Sequence, residues 1–145
     1  MRIAIASGHF APCHVGHIAY LKAAAALGDM LYVIVNNDLQ VGLKGGKKFM
    51  DENERLAIVR SLRPVDYACL SIDMNRSVCD TISWIVASHP AGTAFVFCNG
   101  GDVGCEADCR EAETCKKLGV ALAFGVGGTA KLQSSSAILA NLKGA

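Results

Sequence analysis

The chain predicts an α/β fold, a doubly wound parallel sheet of five strands in the order 3-2-1-4-5 with helices on both faces. Apolar runs of strand length alternate with helical apolar stripes along all 145 residues. Gly, Pro and Asn clusters separate them, as turns between such elements require. No internal repeat, low-complexity tract or long linker interrupts this rhythm.

Arg2–Ser7 opens the chain as a strand, and Val15–Leu27 follows as a helix stopped by Gly28. Met30–Val35 is an unbroken apolar run, the pattern of a strand covered on both faces. Asn36-Asn37-Asp38 ends it, and a Lys/Gly-rich loop is expected through Lys48. Asp51 or Asn53 caps a helix running to about Leu62, with Leu56, Ile58, Val59 and Leu62 as its buried stripe and Pro64 as its close. Asp66–Ile72 is the third strand, Ser77–Ser88 a helix carrying the lone Trp84, and Thr93–Cys98 the fourth strand. After a Gly-rich turn, Glu106–Leu118 is expected as a helix with Gly119 as its stop, then Val120–Phe124 as the fifth strand. Ser134-Ser135-Ser136 opens a last helix to about Leu142. Parallel strands joined by right-handed crossovers give the Rossmann-like arrangement, whose ligands bind beyond the carboxyl ends of the strands.

Composition narrows the function classes. A hydrophobic content of 52% with 19% charged residues excludes a disordered chain. A net charge of +1 supplies no broad basic surface, so neither nucleic acid nor a membrane is expected as a partner. Seven cysteines without a secretory signal point to reduced thiols in a cytoplasmic protein. Cys105 and Cys109 stand four apart and could share a helix face toward zinc, but no Cys-x-x-Cys occurs to complete a structural site. Cys13 lies where a helix N-terminus would lower a thiol pKa, but a small filler is the role expected of it. One domain over residues 1–145 is expected, whether a whole protein or part of a longer polypeptide.

The chemistry concentrates after the first strand, in Ser7-Gly8-His9-Phe10-Ala11-Pro12-Cys13-His14-Val15-Gly16-His17. Two imidazoles three residues apart share one face of the first helical turn. That turn also carries unpaired N–H groups and the positive end of the helix dipole, a combination that favours phosphate. Further along, Lys44 sits in a glycine-flanked basic loop with Lys47 and Lys48, and glycines let such a loop fold over a ligand.

Gly8-His9-Phe10 through His14-Val15-Gly16-His17 resembles the Gly-x-Phe-Asp-x-x-His-x-Gly-His signature of the nucleotidylyltransferase superfamily, particularly its small cytidylyltransferases. Ala11 stands where many members carry Asp, which removes a carboxylate that could hold a metal, and no metal ligand from the protein is expected. The resemblance runs from Ile3 to Ile138 and implies His14, His17 and Lys44 as the catalytic groups. It implies nucleotide contacts from Ser7, Gly8, His9, Phe10 and Gly16, and from Asn99, Gly101 and Asp102 in the Gly-Gly-Asp turn. Lys131 and Ser134, Ser135 and Ser136 at the last helix complete that set, while Lys44 and Arg55 are the implied acceptor-binding residues. Val103 occupies a place where several members carry a basic residue, so one phosphate contact is missing.

The implied reaction moves CMP from CTP to a small phosphate- or phosphonate-bearing acceptor, such as 2-hydroxyethylphosphonate or glycerol 3-phosphate, and releases pyrophosphate. Mg²⁺ is expected on the triphosphate, and the protein is expected as a homodimer. The alternatives are an adenylyltransferase acting on a sugar phosphate with ATP, and a nucleotide-binding module without catalysis.

Overall fold

In the computed structural model, which describes residues 1–45, 49–128 and 134–143, a five-stranded parallel sheet has the expected order β3-β2-β1-β4-β5. The strands are β1 (Arg2–Gly8), β2 (Met30–Val35), β3 (Tyr67–Leu70), β4 (Ala94–Cys98) and β5 (Ala121–Ala123). The helices are α1 (Val15–Ala25), α2 (Asp38–Leu43), α3 (Glu52–Arg60), α4 (Cys79–Ala87), α5 (Ala112–Leu118) and α6 (Ser135–Lys143). None of the described helices is long and apolar enough to cross a membrane.

Register follows from burial. β1 is central, pairing Ile3–Gly8 with Met30–Val35 on one side and Arg2–Ile5 with Ala94–Phe97 on the other. Its residues Ile3 to Ala6 are all buried, because helices cover both faces of the sheet. Ala4 and Ala6 join Leu31, Val33 and Val35 on the face that receives Leu21 and Ala24 of α1 and Leu56 and Val59 of α3. Ile3, Ile5 and Phe97 point the other way, against Ile82 and Ile85 of α4 and Cys115 of α5. The two small alanines leave room for α1 beside the sheet, so its N-terminus lies close to the carboxyl end of β1.

Two expectations are corrected. The segment after β2 is not loop throughout: Asn37 caps α2 by accepting from Gln40 N (2.9 Å), and Gln40 Oε1 accepts in turn from Asn37 N (3.2 Å). This reciprocal cap nucleates a short helix in a sequence whose composition favours a loop. The expected helix 106–118 is broken into a 3-10 turn at Glu106–Asp108 and α5. Cys109, buried, has extended backbone (φ −96°, ψ 111°) and separates them. Cys105 and Cys109 therefore do not share a helix face. All seven cysteines are free thiols, and burial raises the Cys13 pKa instead of lowering it.

α4 receives no cap from its own N-cap residue, Val78. Asp73, 1% exposed, supplies it from the preceding loop. Its carboxylate accepts from Asp80 N (2.8 Å), Thr81 N (3.0 Å) and Thr81 Oγ1 (2.5 Å). Replacing Asp73 by Ala strands these buried donors and should cost about 2–3 kcal/mol in urea unfolding, with Asp73→Asn losing less.

Candidate functional site

His14 is the N-cap of α1, and its Nδ1 accepts from Gly16 N (3.1 Å). His17, at the third helical position, accepts from His14 N through its own Nδ1 (3.2 Å). The two histidines thus form a capping box, and their rings stack with centroids 3.8 Å apart. Because each Nδ1 accepts, the neutral tautomer carries its proton on Nε2, which leaves Nε2–H as a donor on each ring. Burial, with the charges of His14 and His9 adding to it, lowers the His17 pKa to about 4, and burial also lowers that of His14. Both side chains line a cavity of about 540 Å³ beyond the carboxyl ends of β1 and β4.

The support beneath them is stiff. Phe10, 1% exposed, holds its ring 4.9 Å from that of His17, on backbone in the left-handed region (φ 54°). Such a conformation is unfavourable for a bulky side chain and persists because the packing demands it. Gly8 permits the arrangement, since a Cβ there would lie 3.1 Å from Phe10 Cζ. Tyr20, one turn along α1, spans the sheet: its hydroxyl donates to Cys98 O (2.6 Å) and accepts from Ser7 N (3.3 Å). Its burial pushes the phenol pKa well above the usual tyrosine range. Gly127 (φ 88°) passes so close that a Cβ would meet Tyr20 Cα at 2.8 Å.

The remaining walls come from strand ends. Asn99 closes β4 against β5 by donating from N to Ala123 O (2.8 Å) and accepting from Val126 N (2.9 Å). Gly101 and Asp102 follow it along the wall. Ser134 caps α6 by accepting from Ala137 N (3.1 Å), and Ser135 Oγ donates to Pro12 O (3.2 Å), which brings α6 against the signature loop. Ser7, Gly8, Gly16, Lys44, Asn99, Gly101, Asp102 and the three serines all reach the cavity with His14 and His17. Lys131, Lys47 and Lys48 lie outside the described residues.

Three expected site residues are placed elsewhere. Arg55, expected at the acceptor, is 1% exposed. Its Nη1 donates to His9 O (2.8 Å) and Asn36 O (2.6 Å), Nη2 to Asp38 Oδ1 (2.9 Å) and Nε to Met50 O (3.2 Å). It shares the buried stripe of α3 with Leu56 and Val59, where unpaired carbonyls at the strand ends take up its donors. Phe10 is core, behind His17. His9 lies off the cavity wall with Nε2 buried, and burial together with the Lys44 and Arg55 charges lowers its pKa to about 4.

Among the cavity residues that were not expected are Tyr20, Arg76, Asp108, Arg110 and Glu111. Tyr20 falls within the expected first helix, and Arg110 and Glu111 within the expected helix 106–118. The break at Cys109 sets both on the cavity wall, Arg110 exposed and Glu111 partly buried. Glu111 Oε1 accepts from Val78 N (3.1 Å), and Arg76 Nη2 donates to Leu43 O at the end of α2 (2.9 Å).

The sequence profile of the cytidylyltransferase-like family matches residues 5–121. An FAD synthase from Thermoplasma acidophilum is 39% identical over 84 residues, 57% of this chain and 59% of that protein. The bifunctional protein HldE from Trichlorobacter lovleyi is 41% identical over 71 residues, 48% of this chain and 14% of that protein. The chain thus matches little more than half the length of the first of these relatives. Among solved structures, a lipopolysaccharide core biosynthesis protein from Thermoplasma volcanium superposes with a TM-score of 0.65 at 31% identity, covering 86% of this chain and 93% of that one.

Two outcomes are expected. In NMR titrations, His9 and His17 stay neutral down to about pH 4. The unfolded chain takes up those protons from about pH 6.5 downward, so stability falls as pH drops from 6.5 toward 4. Imidazoles that titrate near 6.5 would contradict this placement. Arg55→Lys, whose ammonium cannot meet four acceptors in the geometry of a planar guanidinium, should lose about 3 kcal/mol in chemical denaturation.

Proposed function

The chain belongs to the cytidylyltransferase-like family, a nucleotidylyltransferase domain, and from that premise we propose that it moves a nucleotidyl group from a nucleoside triphosphate to a small phosphate- or phosphonate-bearing acceptor. The observation that carries this reading is the reciprocal histidine cap at the N-terminus of α1, lying on the wall of the cavity. An acceptor oxygen attacks the α-phosphorus in line, the bond to the bridging oxygen of the β-phosphate breaks, and pyrophosphate leaves. The protein's part is positioning and charge stabilisation, with no covalent intermediate.

His14 and His17 enter this reaction as neutral donors. Their Nε2–H groups meet phosphoryl oxygens as negative charge builds, while both Nδ1 atoms stay committed to the cap. The cap holds both rings in place before substrate arrives. Ser134–Ser136 at the start of α6 cradle further phosphate oxygens, and Lys44 supplies a point charge. Mg²⁺ belongs to the proposal as a companion of the triphosphate, whose oxygens it would bind and neutralise. No group of three or more His, Cys, Asp or Glu among the described residues is arranged to hold a metal ion.

CTP is the donor the sequence resemblance supports. The name of a matched relative, FAD synthase, favours ATP as a second reading, since making FAD adds an adenylyl group. The base would lie near Asn99–Asp102 and Gly125–Gly128, where backbone groups do the reading. Pyrophosphate release measured with CTP and with ATP, across glycerol 3-phosphate, 2-hydroxyethylphosphonate and sugar phosphates, tests the reaction and its donor together. His14→Asn preserves an N-cap and should still lower turnover by about 10²–10⁴-fold, as should His17→Asn, with circular dichroism unchanged. Near-normal rates in both would remove this mechanism. Absence of turnover with either nucleotide, alongside retained binding, would make the domain a nucleotide-binding module.

A further inference from the structure

We propose that Arg76 and Arg110, with Lys44, form the subsite that holds the acceptor's phosphate or phosphonate, the place expected of Arg55. This assignment rests on the nucleotidyl-transfer reading above and names the part of the cavity that takes the second substrate.

The three cations reach one cavity from separate elements: the end of α2, the loop between β3 and α4, and the turn before α5. Arg76 is tied to the carbonyl of Leu43 (2.9 Å), which sets it beside the residue that follows, Lys44. Arg110, exposed, stands on the cavity wall directly after the extended backbone of Cys109, and its own carbonyl lies 3.9 Å from Cys79 Sγ at the start of α4. Desolvation and the charges of Arg110 and Arg76 lower the Lys44 pKa, against the opposing Glu111 carboxylate. Like charges gathered at one wall repel each other in the free protein, and a dianion between them would relieve that repulsion.

The carboxylates on the cavity wall are Asp102, Asp108 and Glu111. Glu111 is engaged by Val78 N and by Cys109 Sγ (3.7 Å), and Asp108 accepts from Cys105 Sγ (3.4 Å).

Geometry separates Arg76 and Arg110 from α1 and α6, whose residues are assigned to the triphosphate. α1 packs on the sheet face of Ala4 and Ala6, and α6 meets its entry loop at Pro12. α4 and α5, which flank Arg76 and Arg110, pack on the opposite face. In-line displacement needs the entering oxygen and the leaving pyrophosphate on opposite sides of phosphorus. An acceptor anchored by the α4/α5 side would approach opposite a triphosphate held from the α1/α6 side. Two planar guanidiniums also suit a tetrahedral dianion bidentately, as a lone lysine does not. Arg55 cannot do this without abandoning two strand-end carbonyls, and Val103 offers no charge.

The test uses Arg76→Gln and Arg110→Gln, singly and together. In the pyrophosphate assay each single variant should raise the acceptor KM by about 10- to 100-fold, with the nucleotide KM changed less than about threefold. Calorimetric titration of glycerol 3-phosphate and 2-hydroxyethylphosphonate into the unaltered chain and both variants reads the same subsite without turnover. That arm separates failure of this subsite from failure of the reaction itself. Expected is binding weakened about 10-fold or more in each variant and partly restored by Arg110→Lys. Acceptor affinity unchanged in both single variants would overturn the assignment. So would an equal or larger loss of nucleotide affinity, which would place these arginines on the triphosphate. Arg110 makes no side-chain contact on which the described core depends, so its variant keeps the test open should Arg76→Gln fail to fold.

Discussion

A guanidinium buried at the carboxyl ends of β1 and β2 holds the working end of this molecule together. Arg55 reaches from α3 to the carbonyls of His9, Asn36 and Met50 and to the Asp38 carboxylate. These acceptors belong to the signature loop, the end of β2, the approach to α3 and the start of α2. Taking a charge out of water is costly unless its donors are met, and here several elements must be correctly placed at once to meet them. The arrangement therefore favours one geometry of the loop over its neighbours, and the position of Phe10 and His17 follows from it.

Rigidity at α1 has a second source. The capping box is made from imidazoles in place of the usual hydroxyl and carboxamide, so the groups that close the helix are also the ones facing the cavity. Their Nδ1 atoms hold the backbone while Nε2 stays available. Tyr20 then ties α1 to β1 and β4 through one hydroxyl, and Gly127 passes over its backbone. Preorganisation of this kind lets neutral donors stabilise developing charge without reorganising during the reaction.

Much of this was legible in the residues. The apolar run Met30–Val35 named its strand to the residue, because a strand covered on both faces needs no alternation, and Asn36 marked its end. His14, Gly16 and His17 were legible as a phosphate-facing helix start because spacing along a helix is a local property. The short helix α2 was missed because its stability comes from a side-chain cap between Asn37 and Gln40, inside a stretch whose composition favours a loop. The break at Cys109 was missed because the apolar spacing of 106–118 suits a helix, and only burial of that thiol against α4 and the sheet sets the extended backbone. Asp73 was invisible for a similar reason: it caps a helix from a loop, several residues ahead of the turn it closes.

By itself the sequence determined the alternating elements and the histidine pair, since these rest on periodicity, turn residues and local spacing, while the strand order and the site beyond the strand ends followed from the rules of doubly wound sheets. Tertiary structure decided which charges face the cavity. Arg55, expected at the acceptor, is drawn into the core by strand-end carbonyls that pairing leaves unsatisfied. Arg76 and Arg110, both exposed, line one cavity from loops 34 residues apart. A side chain's partners at such separations depend on how the helices pack across the sheet, and no local pattern encodes that.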